Sequence, residues 1–264
     1  MLTSIFSKGL WDSRRSLLGW TVAIVAVGCG YSAFWPTIDR PEIQEALDSY
    51  PQGLLDALNY DDISTAAGYL TASVYGLVVA ILLVVYAVSA GARAVAGDEE
   101  AGRLDLIAAH PVSRTRLGLQ RCAAVLVSVI LVSFIFWLAM LALASPANFD
   151  DISVAQFAAM HLHLALFGGF FGALTYAVGA ATGARSLALG TGSAVAVLGY
   201  LANGIIPTVD GLEWVENLSP FGWLTGSDPL RNGVDVADCA LMGGLAMLLV
   251  AIGTWVFNRR DIAV

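Results

Sequence analysis

Two histidines lie close together in a long apolar part of this sequence. His161 and His163 fall within residues 157–181, which contain no Asp, Glu, Lys or Arg. Imidazole can bind a metal ion, exchange a proton near neutral pH or form a hydrogen bond. The i,i+2 spacing places the two rings on different faces of a helix, which disfavours a shared metal ion, and the H-E-x-x-H spacing is absent. Three roles stay open: buried hydrogen bonding, contact with a substrate or response to protonation, and metal binding.

A second group of polar side chains recurs at about helical spacing in other apolar runs. Polar groups in such runs are costly to bury in a membrane and are functional candidates for that reason. Ordinary packing between helices is the plain alternative. The residues at this spacing are Tyr75 and Tyr86 in the run 69–92, with the apolar Leu82 between them. Asn203, near the end of the run 187–207, is expected to bond a neighbouring helix.

A third group is charged and lies between two apolar runs. The stretch GDEEAGRLDLIAAHPVSR, residues 97–114, begins with acids and contains a proline. Asp98 suits an N-cap position, and the two glutamates after it fall in a first helical turn, where the helix dipole favours negative charge. Pro111 disfavours helix at the residue before it. The pattern predicts a short helix over 97–110.

This short helix would need support on its apolar side. Leu104 and Ile107 share one face, and the acids surround Arg103 on the other. A helix of about three turns is marginal alone in water, so the apolar face must rest on a membrane surface or on a protein. Membrane-surface helices usually carry Lys or Arg on the polar face. The acidic face therefore favours a protein partner, and a solvated turn that joins two spans is the alternative.

Long apolar helices must position all of these groups. The chain has 264 residues, of which 58% are hydrophobic and 13% charged, whereas soluble domains carry about 25% charged residues. A bilayer core needs about 20 apolar residues per helix. We therefore predict an all-α polytopic membrane protein with one transmembrane domain, residues 1–264. The six predicted spans are 17–36, 69–92, 122–144, 157–181, 187–207 and 239–257.

The distribution of charge predicts the orientation. An even number of spans puts both termini on one side, and that side carries most of the 13 basic residues. Basic residues are enriched on the cytoplasmic side, so both termini are expected there, in a multi-pass protein of the cell membrane. Most of the 21 acidic residues fall in the outer loops. The net charge of −8 is thus a property of those loops and indicates no nucleic-acid partner.

Three pieces outside the spans are long enough to fold. Residues 1–16 place apolar residues on one helical face next to basic ones, which predicts an interfacial helix on the inner leaflet. A plain extension of the first span is the alternative. Residues 39–68 contain two prolines suited to helix starts and predict two short outer helices. Residues 208–238 are rich in aromatics of the kind found at headgroup level and predict short re-entrant or surface helices.

The charged stretch resembles the signature segment of the type-2 ABC exporter permeases, in which it forms a cytoplasmic coupling helix between the second and third spans. Three other segments resemble that family as well: residues 62–70, LSPFGWLTGSDPLRNG at 218–233 and FNRRDI at 257–262. The resemblance therefore covers nearly the whole chain. The pattern Glu-Glu-x-Gly-x-Leu-x-Leu-x-x-x-x-Pro-x-x-Arg falls on Glu99, Glu100, Gly102, Leu104, Leu106, Pro111 and Arg114.

The resemblance implies the membrane subunit of an ATP-driven transporter. Such permeases pair with a second copy or a related permease and bind separate cytoplasmic ATPase subunits, which hold ATP and Mg²⁺. By this resemblance the second and fifth spans line the substrate path. The implied coupling residues are Glu99, Glu100, Arg103, Leu104, Ile107, Pro111 and Arg114. The implied path residues are Tyr75, Leu82, Tyr86, His161, His163, Tyr200 and Asn203.

One observation agrees with this interpretation independently. The sequence contains no GxxxxGK[ST] phosphate loop, and Lys8 is its only lysine, so this chain is not itself a Walker-type ATPase and is expected to bind no cofactor. We predict export of an apolar or amphipathic small molecule, such as a drug or antibiotic. An intramembrane enzyme is disfavoured, because the predicted spans contain no Asp or Glu. A non-transporting scaffold or sensor that recruits a partner through 97–110 stays open.

Overall fold

The fold is helical throughout the part of the chain that the structure describes. The structure, a computed structural model, describes residues 4–40, 65–102, 113–209 and 211–260. Six of its helices are long and apolar enough to cross a membrane, which confirms the predicted fold class. In chain order the helices are α1 (Ile5–Ser32), α2 (Trp35–Ile38), α3 (Ala66–Ala94), α4 (Ala96–Glu100), α5 (Arg114–Ala144), α6 (Val154–Thr182), α7 (Arg185–Gly204), α8 (Pro220–Thr225), α9 (Pro229–Asn232) and α10 (Val236–Arg259).

All six spanning helices begin earlier than the apolar runs predict, and a side chain caps the first turn of every one except α7. The side chains of Ser113, Ser153 and Asp235 accept hydrogen bonds from backbone N–H groups in the first turns of α5, α6 and α10. Such caps satisfy donors that have no partner within the helix. Helix α7 ends earlier than predicted, at Gly204, and a 3₁₀ turn over Ile206–Thr208 follows it.

Helix α1 is continuous from Ile5 to Ser32. The separate interfacial helix predicted for residues 1–16 is therefore wrong over the described residues, and the alternative, an extension of the first span, is correct. The reason is packing against α5. The backbone N–H of Phe6 donates to Gln120 Oε1 at 3.3 Å, and a Cβ built on Gly9 would lie 3.2 Å from that of Ala124. These contacts hold the N-terminal half of α1 against protein.

Helix α3 contains a wide segment. From Leu70 to Val78 its backbone is π-helical, and regular α-helix resumes at Val79. A π-helix bonds residue i to i+5 and is often found at functional positions. Tyr75 lies in this segment and is fully buried in the main hydrophobic core. Tyr75, the first candidate residue of the second span, thus lies where the backbone departs from the α-helix.

Helix α6 is the central element of the bundle, with α3, α5, α7 and α10 packed around it. Small residues allow the close contacts, as is usual between membrane helices. On α10, a Cβ built on Gly253 would lie 2.6 Å from the Cα of Ala177. On α3, a Cβ built on Gly91 would lie 3.1 Å from the backbone nitrogen of Tyr176. The backbones of these helices therefore meet almost directly.

Short helices follow α7, as the sequence predicts for residues 208–238. They are a 3₁₀ helix over Glu213–Leu218, then α8 and α9. Ser219 anchors this segment, because its hydroxyl donates to the carbonyl of Gly199 at 2.7 Å. Phe221 packs edge-on against Phe167, with ring centroids 5.1 Å apart. The two helices predicted within residues 39–68 lie outside the described residues, apart from the start of α3 at Ala66.

The two ends of the bundle differ in charge. At one end α1 begins, α3 ends, α5 begins and α10 ends, as contacts among these termini show. We call this the basic end. The basic side chains gathered there include Lys8, Arg93, Arg114, Arg121, Arg185 and Arg260.

Candidate functional site

The acidic stretch forms a single short turn of helix at the basic end. Helix α4 spans Ala96–Glu100, with Asp98 inside it, and Gly102 adopts φ of 62°. This left-handed conformation suits glycine and interrupts an α-helix. The prediction of one continuous helix over 97–110 is therefore wrong, because the helix stops before Gly102. Residues 103–112, with the predicted coupling residues Arg103, Leu104, Ile107 and Pro111, lie outside the described residues.

Glu99 pairs with an arginine from the far end of the chain. Its Oε2 lies 2.5 Å from Nη2 of Arg260, and the two side chains are only 7% and 19% exposed. Arg114, at the start of α5, donates from Nη1 to the backbone carbonyl of Arg260 at 2.7 Å. Two of the predicted coupling residues, Glu99 and Arg114, are thus brought together by a third residue at the end of α10.

The neighbouring acids make equivalent links. Asp98 forms an ion pair with Arg121 of α5, and both side chains are largely buried. Glu100 is exposed, and its Oε1 accepts a hydrogen bond from the backbone N–H of Arg185 at 2.8 Å. We call this set, Asp98, Glu99 and Glu100 with Arg114, Arg121, Arg185 and Arg260, the acidic anchor. It joins the turn after α3 to the starts of α5 and α7 and the end of α10.

The acidic anchor changes the interpretation of the charges in this stretch. The sequence places Asp98 and Glu99 on a polar face turned outward, whereas in the structure they point into the protein and are neutralised there. Their negative charge is therefore not an argument for a protein partner. Sequence reasoning missed Arg121 and Arg260 as their partners. The clustering of basic residues at helix ends was visible, but it does not say which arginine meets which acid.

His161 links α6 to the π-helical segment of α3. Its Nδ1 lies 2.7 Å from the carbonyl oxygen of Phe157, and its Nε2 lies 3.4 Å from the hydroxyl of Tyr75. A carbonyl only accepts hydrogen bonds, so Nδ1 carries the proton and Nε2 accepts from Tyr75. The two rings meet edge to face, with centroids 5.4 Å apart. Both side chains are buried.

His163 points to different neighbours. Its Nδ1 lies 3.3 Å from the carbonyl oxygen of Trp223 in α8, and its Nε2 accepts from the backbone N–H of Asp235 at 3.2 Å. The ring therefore ties α6 to α8 and to the cap of α10. Both histidine side chains are buried and form hydrogen bonds, in agreement with the first of the three roles left open. Among the described residues, no group of three or more His, Cys, Asp or Glu side chains is arranged to bind a metal ion.

The remaining predicted path residues lie in different places. Tyr86 is buried next to Trp20, with ring centroids 6.2 Å apart, and Leu82 packs against the main core. Tyr200 is 38% exposed and meets Phe221 edge-on at 5.5 Å. Asn203 lies beside α8, where a Cβ built on Gly222 would be 3.2 Å from its Oδ1. The structure brings Tyr75 and His161 together but does not gather all seven residues around one cavity.

The bonds of His163 predict a local loss of stability. We expect His163→Ala to lower the free energy of unfolding by about 2–4 kcal/mol, because two hydrogen bonds are lost and a cavity forms. Thermal unfolding of the purified chain measures the change, and limited proteolysis should cleave faster within residues 206–235. Leu162→Ala is the control, since Leu162 is 45% exposed. Equal effects of the two changes would contradict the assigned role of His163.

Comparison with known protein families adds one finding. Residues 4–258 match the family model described as multidrug efflux system permease Rv1217c, C-terminal domain. The match spans nearly all of the chain, including every helix described above except the last residue of α10. No curated protein matches the sequence.

Proposed function

The chain belongs to the family of multidrug efflux system permeases, and on this premise we propose that it is the membrane-spanning subunit of an ATP-driven exporter. In this proposal a separate ABC ATPase chain binds ATP and Mg²⁺ and docks at the basic end. The basic end faces the cytoplasm, in accordance with the enrichment of basic residues on that side of membrane proteins. This chain supplies the path for the exported molecule and performs no catalysis.

The acidic anchor is the observation that supports this proposal best. A segment that receives force from an ATPase must be joined firmly to several spans, or its movement would be lost in a flexible loop. Asp98, Glu99 and Glu100 directly precede the undescribed part of the signature segment and connect to α5, α7 and α10 through ion pairs and a hydrogen bond. Residues 103–110 would then contact the ATPase while the acidic anchor transmits the displacement.

The polar groups buried among the spans support an uncharged or amphipathic cargo. They are hydroxyls and neutral imidazoles, such as those of Tyr75, Tyr86 and His161. A strongly charged molecule at membrane depth would need opposite charges around it. We therefore propose drug-like or antibiotic-like compounds as the substrates, and we propose that they pass along α3 and α7.

A second permease completes the transporter in this proposal. Helix α7 exposes apolar side chains along much of its length, and Val197 and Leu198 are 60% and 62% exposed. Such a face packs against lipid or against another apolar helix. We propose that it meets a second copy of this chain or a related permease, so that the path forms between the two subunits.

Reconstitution tests the proposed function. The chain is purified with the ATPase that binds it, placed in lipid vesicles and supplied with ATP and a fluorescent amphipathic dye. We expect ATP-dependent movement of the dye, which should disappear when the phosphate-loop lysine of the ATPase is replaced. An intact complex that hydrolyses ATP but moves no compound from a panel of drugs and dyes would favour the alternative, a scaffold or sensor acting through residues 97–110.

A further inference from the structure

A cleft of about 540 Å³ opens at the basic end between α1, α3 and α5. It is separate from the Tyr75 and His161 pair, which lies deeper in the bundle. A volume of this size is in the range of ligand-binding sites. Its wall includes Arg121, the partner of Asp98 in the acidic anchor, so a molecule in the cleft would lie beside the signature segment.

The lining changes from charged and exposed to uncharged and buried with depth. Lys8, Asp12 and Arg93 lie at the exposed mouth, whereas Tyr86 and Ser128 at the inner end are buried. On α3 the distance from Arg93 to Tyr86 is seven residues, which corresponds to about 10 Å along the helix. A ligand that fits this gradient has a charged head, a region of hydrogen-bonding groups and an apolar remainder.

Tryptophans mark the membrane depth of the mouth. Arg14 stacks over Trp11 of α1 at 4.0 Å, and Arg259 stacks over Trp255 of α10 at 4.3 Å. Both tryptophans are more than half exposed, as is typical of side chains at lipid headgroup level. Trp11 is adjacent in sequence to Asp12 and less than one turn from Lys8. The charged mouth of the cleft therefore lies at the level of the phosphate groups of one leaflet.

The charges at the mouth leave an excess of positive charge. Asp98 neutralises Arg121. Neither Lys8 nor Arg93 forms an ion pair with another described residue, and the polar contact of Arg93 is a 3.5 Å approach to the hydroxyl of Ser16. Asp12 supplies one negative charge against these two positive ones. The cleft therefore favours an anionic group.

We infer that this cleft binds an anionic phospholipid of the surrounding leaflet. The phosphate lies next to Lys8 and Arg93, the glycerol region lies toward Ser16 and Tyr86, and the acyl chains extend along the apolar surface of α1. A lipid in this position would hold α1, α3 and α5 together around Arg121. The inference concerns binding alone and does not depend on transport, so it can fail or hold independently of the proposed function.

Native mass spectrometry of the full chain in detergent tests this inference. Phosphatidylglycerol and phosphatidylcholine with the same acyl chains are the two probes. We expect phosphatidylglycerol to bind at least tenfold more tightly than phosphatidylcholine. The double variant Lys8→Gln/Arg93→Gln should lose this preference, and Lys8→Arg should keep it. Thermal unfolding confirms that each variant is folded, which is expected because both side chains are exposed.

A second double variant distinguishes a specific binding site from nonspecific electrostatic attraction between the lipid and the protein. Arg15 and Arg116 are exposed at the same end but do not line the cleft. Arg15→Gln/Arg116→Gln removes the same charge and should keep the preference. Equal loss in the two double variants would overturn the inference, as would equal binding of the two lipids. Displacement of phosphatidylglycerol by inorganic phosphate would also overturn it, since the site would then recognise free phosphate and not a lipid.

Discussion

Replacing Glu99 with glutamine is expected to reduce coupled transport at least tenfold and to destabilise the basic end of the bundle. The change leaves the guanidinium of Arg260 largely buried without a carboxylate, since its side chain is 19% exposed. Removing one partner of a buried ion pair lowers the free energy of unfolding by about 3–5 kcal/mol. We expect thermal unfolding of the purified chain to show a loss of this order, and ATP-driven dye movement in vesicles to fall at least tenfold.

Two further variants make this prediction specific. Glu100→Gln is the matched control, because Glu100 is exposed and accepts one backbone hydrogen bond; we expect a loss of about 1 kcal/mol or less. The exchange Glu99→Arg/Arg260→Glu restores opposite charges and should recover part of the stability and transport. If Glu99→Gln and Glu100→Gln behaved alike, the pair between Glu99 and Arg260 would not be the connection that transmits movement.

A leucine at Gly91 is expected to prevent normal packing of α3 against α6. A Cβ at this position would overlap the carbonyl oxygen of Gly172 and lie 3.1 Å from the backbone nitrogen of Tyr176. Because backbone atoms cannot move aside as side chains can, the two helices must separate. We expect Gly91→Leu to lower the free energy of unfolding by about 3 kcal/mol or more. Thermal unfolding and the yield of monodisperse protein measure the effect.

The matched control for Gly91 lies on α7. A Cβ built on Gly190 would meet no atom within 4 Å, and the residue is exposed. Gly190→Leu should therefore leave stability unchanged or raise it slightly, because leucine favours helix over glycine by roughly 0.8 kcal/mol. Equal destabilisation at the two positions would show that the helix interface at Gly91 is looser than the described contact.

The spans were predictable because their length and hydropathy are properties of the local sequence. The ends of the spans were not predictable, because capping side chains decide where the helices begin. Ser113 caps α5, which begins at Arg114, eight residues before the predicted span at 122, and the helix passes through charged residues that a hydropathy argument excludes. The first span was misjudged for a related reason. Its N-terminal half packs on Gln120 and Ala124 of α5, a contact that no local pattern contains.

The acidic stretch shows where sequence reasoning about the site stops. The pattern identified Glu99 and Arg114 as members of one functional segment, and the structure places both against Arg260. Glu99 and Arg260 are 161 residues apart. Periodicity and charge order describe neighbours along a helix, so they assigned the acids to an outward face. The pairing depends on which helix ends meet, and that is a property of the assembled bundle.

The central position of α6 has a consequence for how the protein is made. Membrane chains are synthesised from the N-terminus, so α1, α3 and α5 are complete before α6 exists. Of these three, α3 and α5 both pack against α6, and α7 and α10, made later, do so as well. The tight contacts at Gly91 and Gly253 also require α6. During biosynthesis the faces of α3 and α5 that pack on α6 must therefore stay uncovered in the membrane until α6 has been inserted, and only then can the bundle assemble around it.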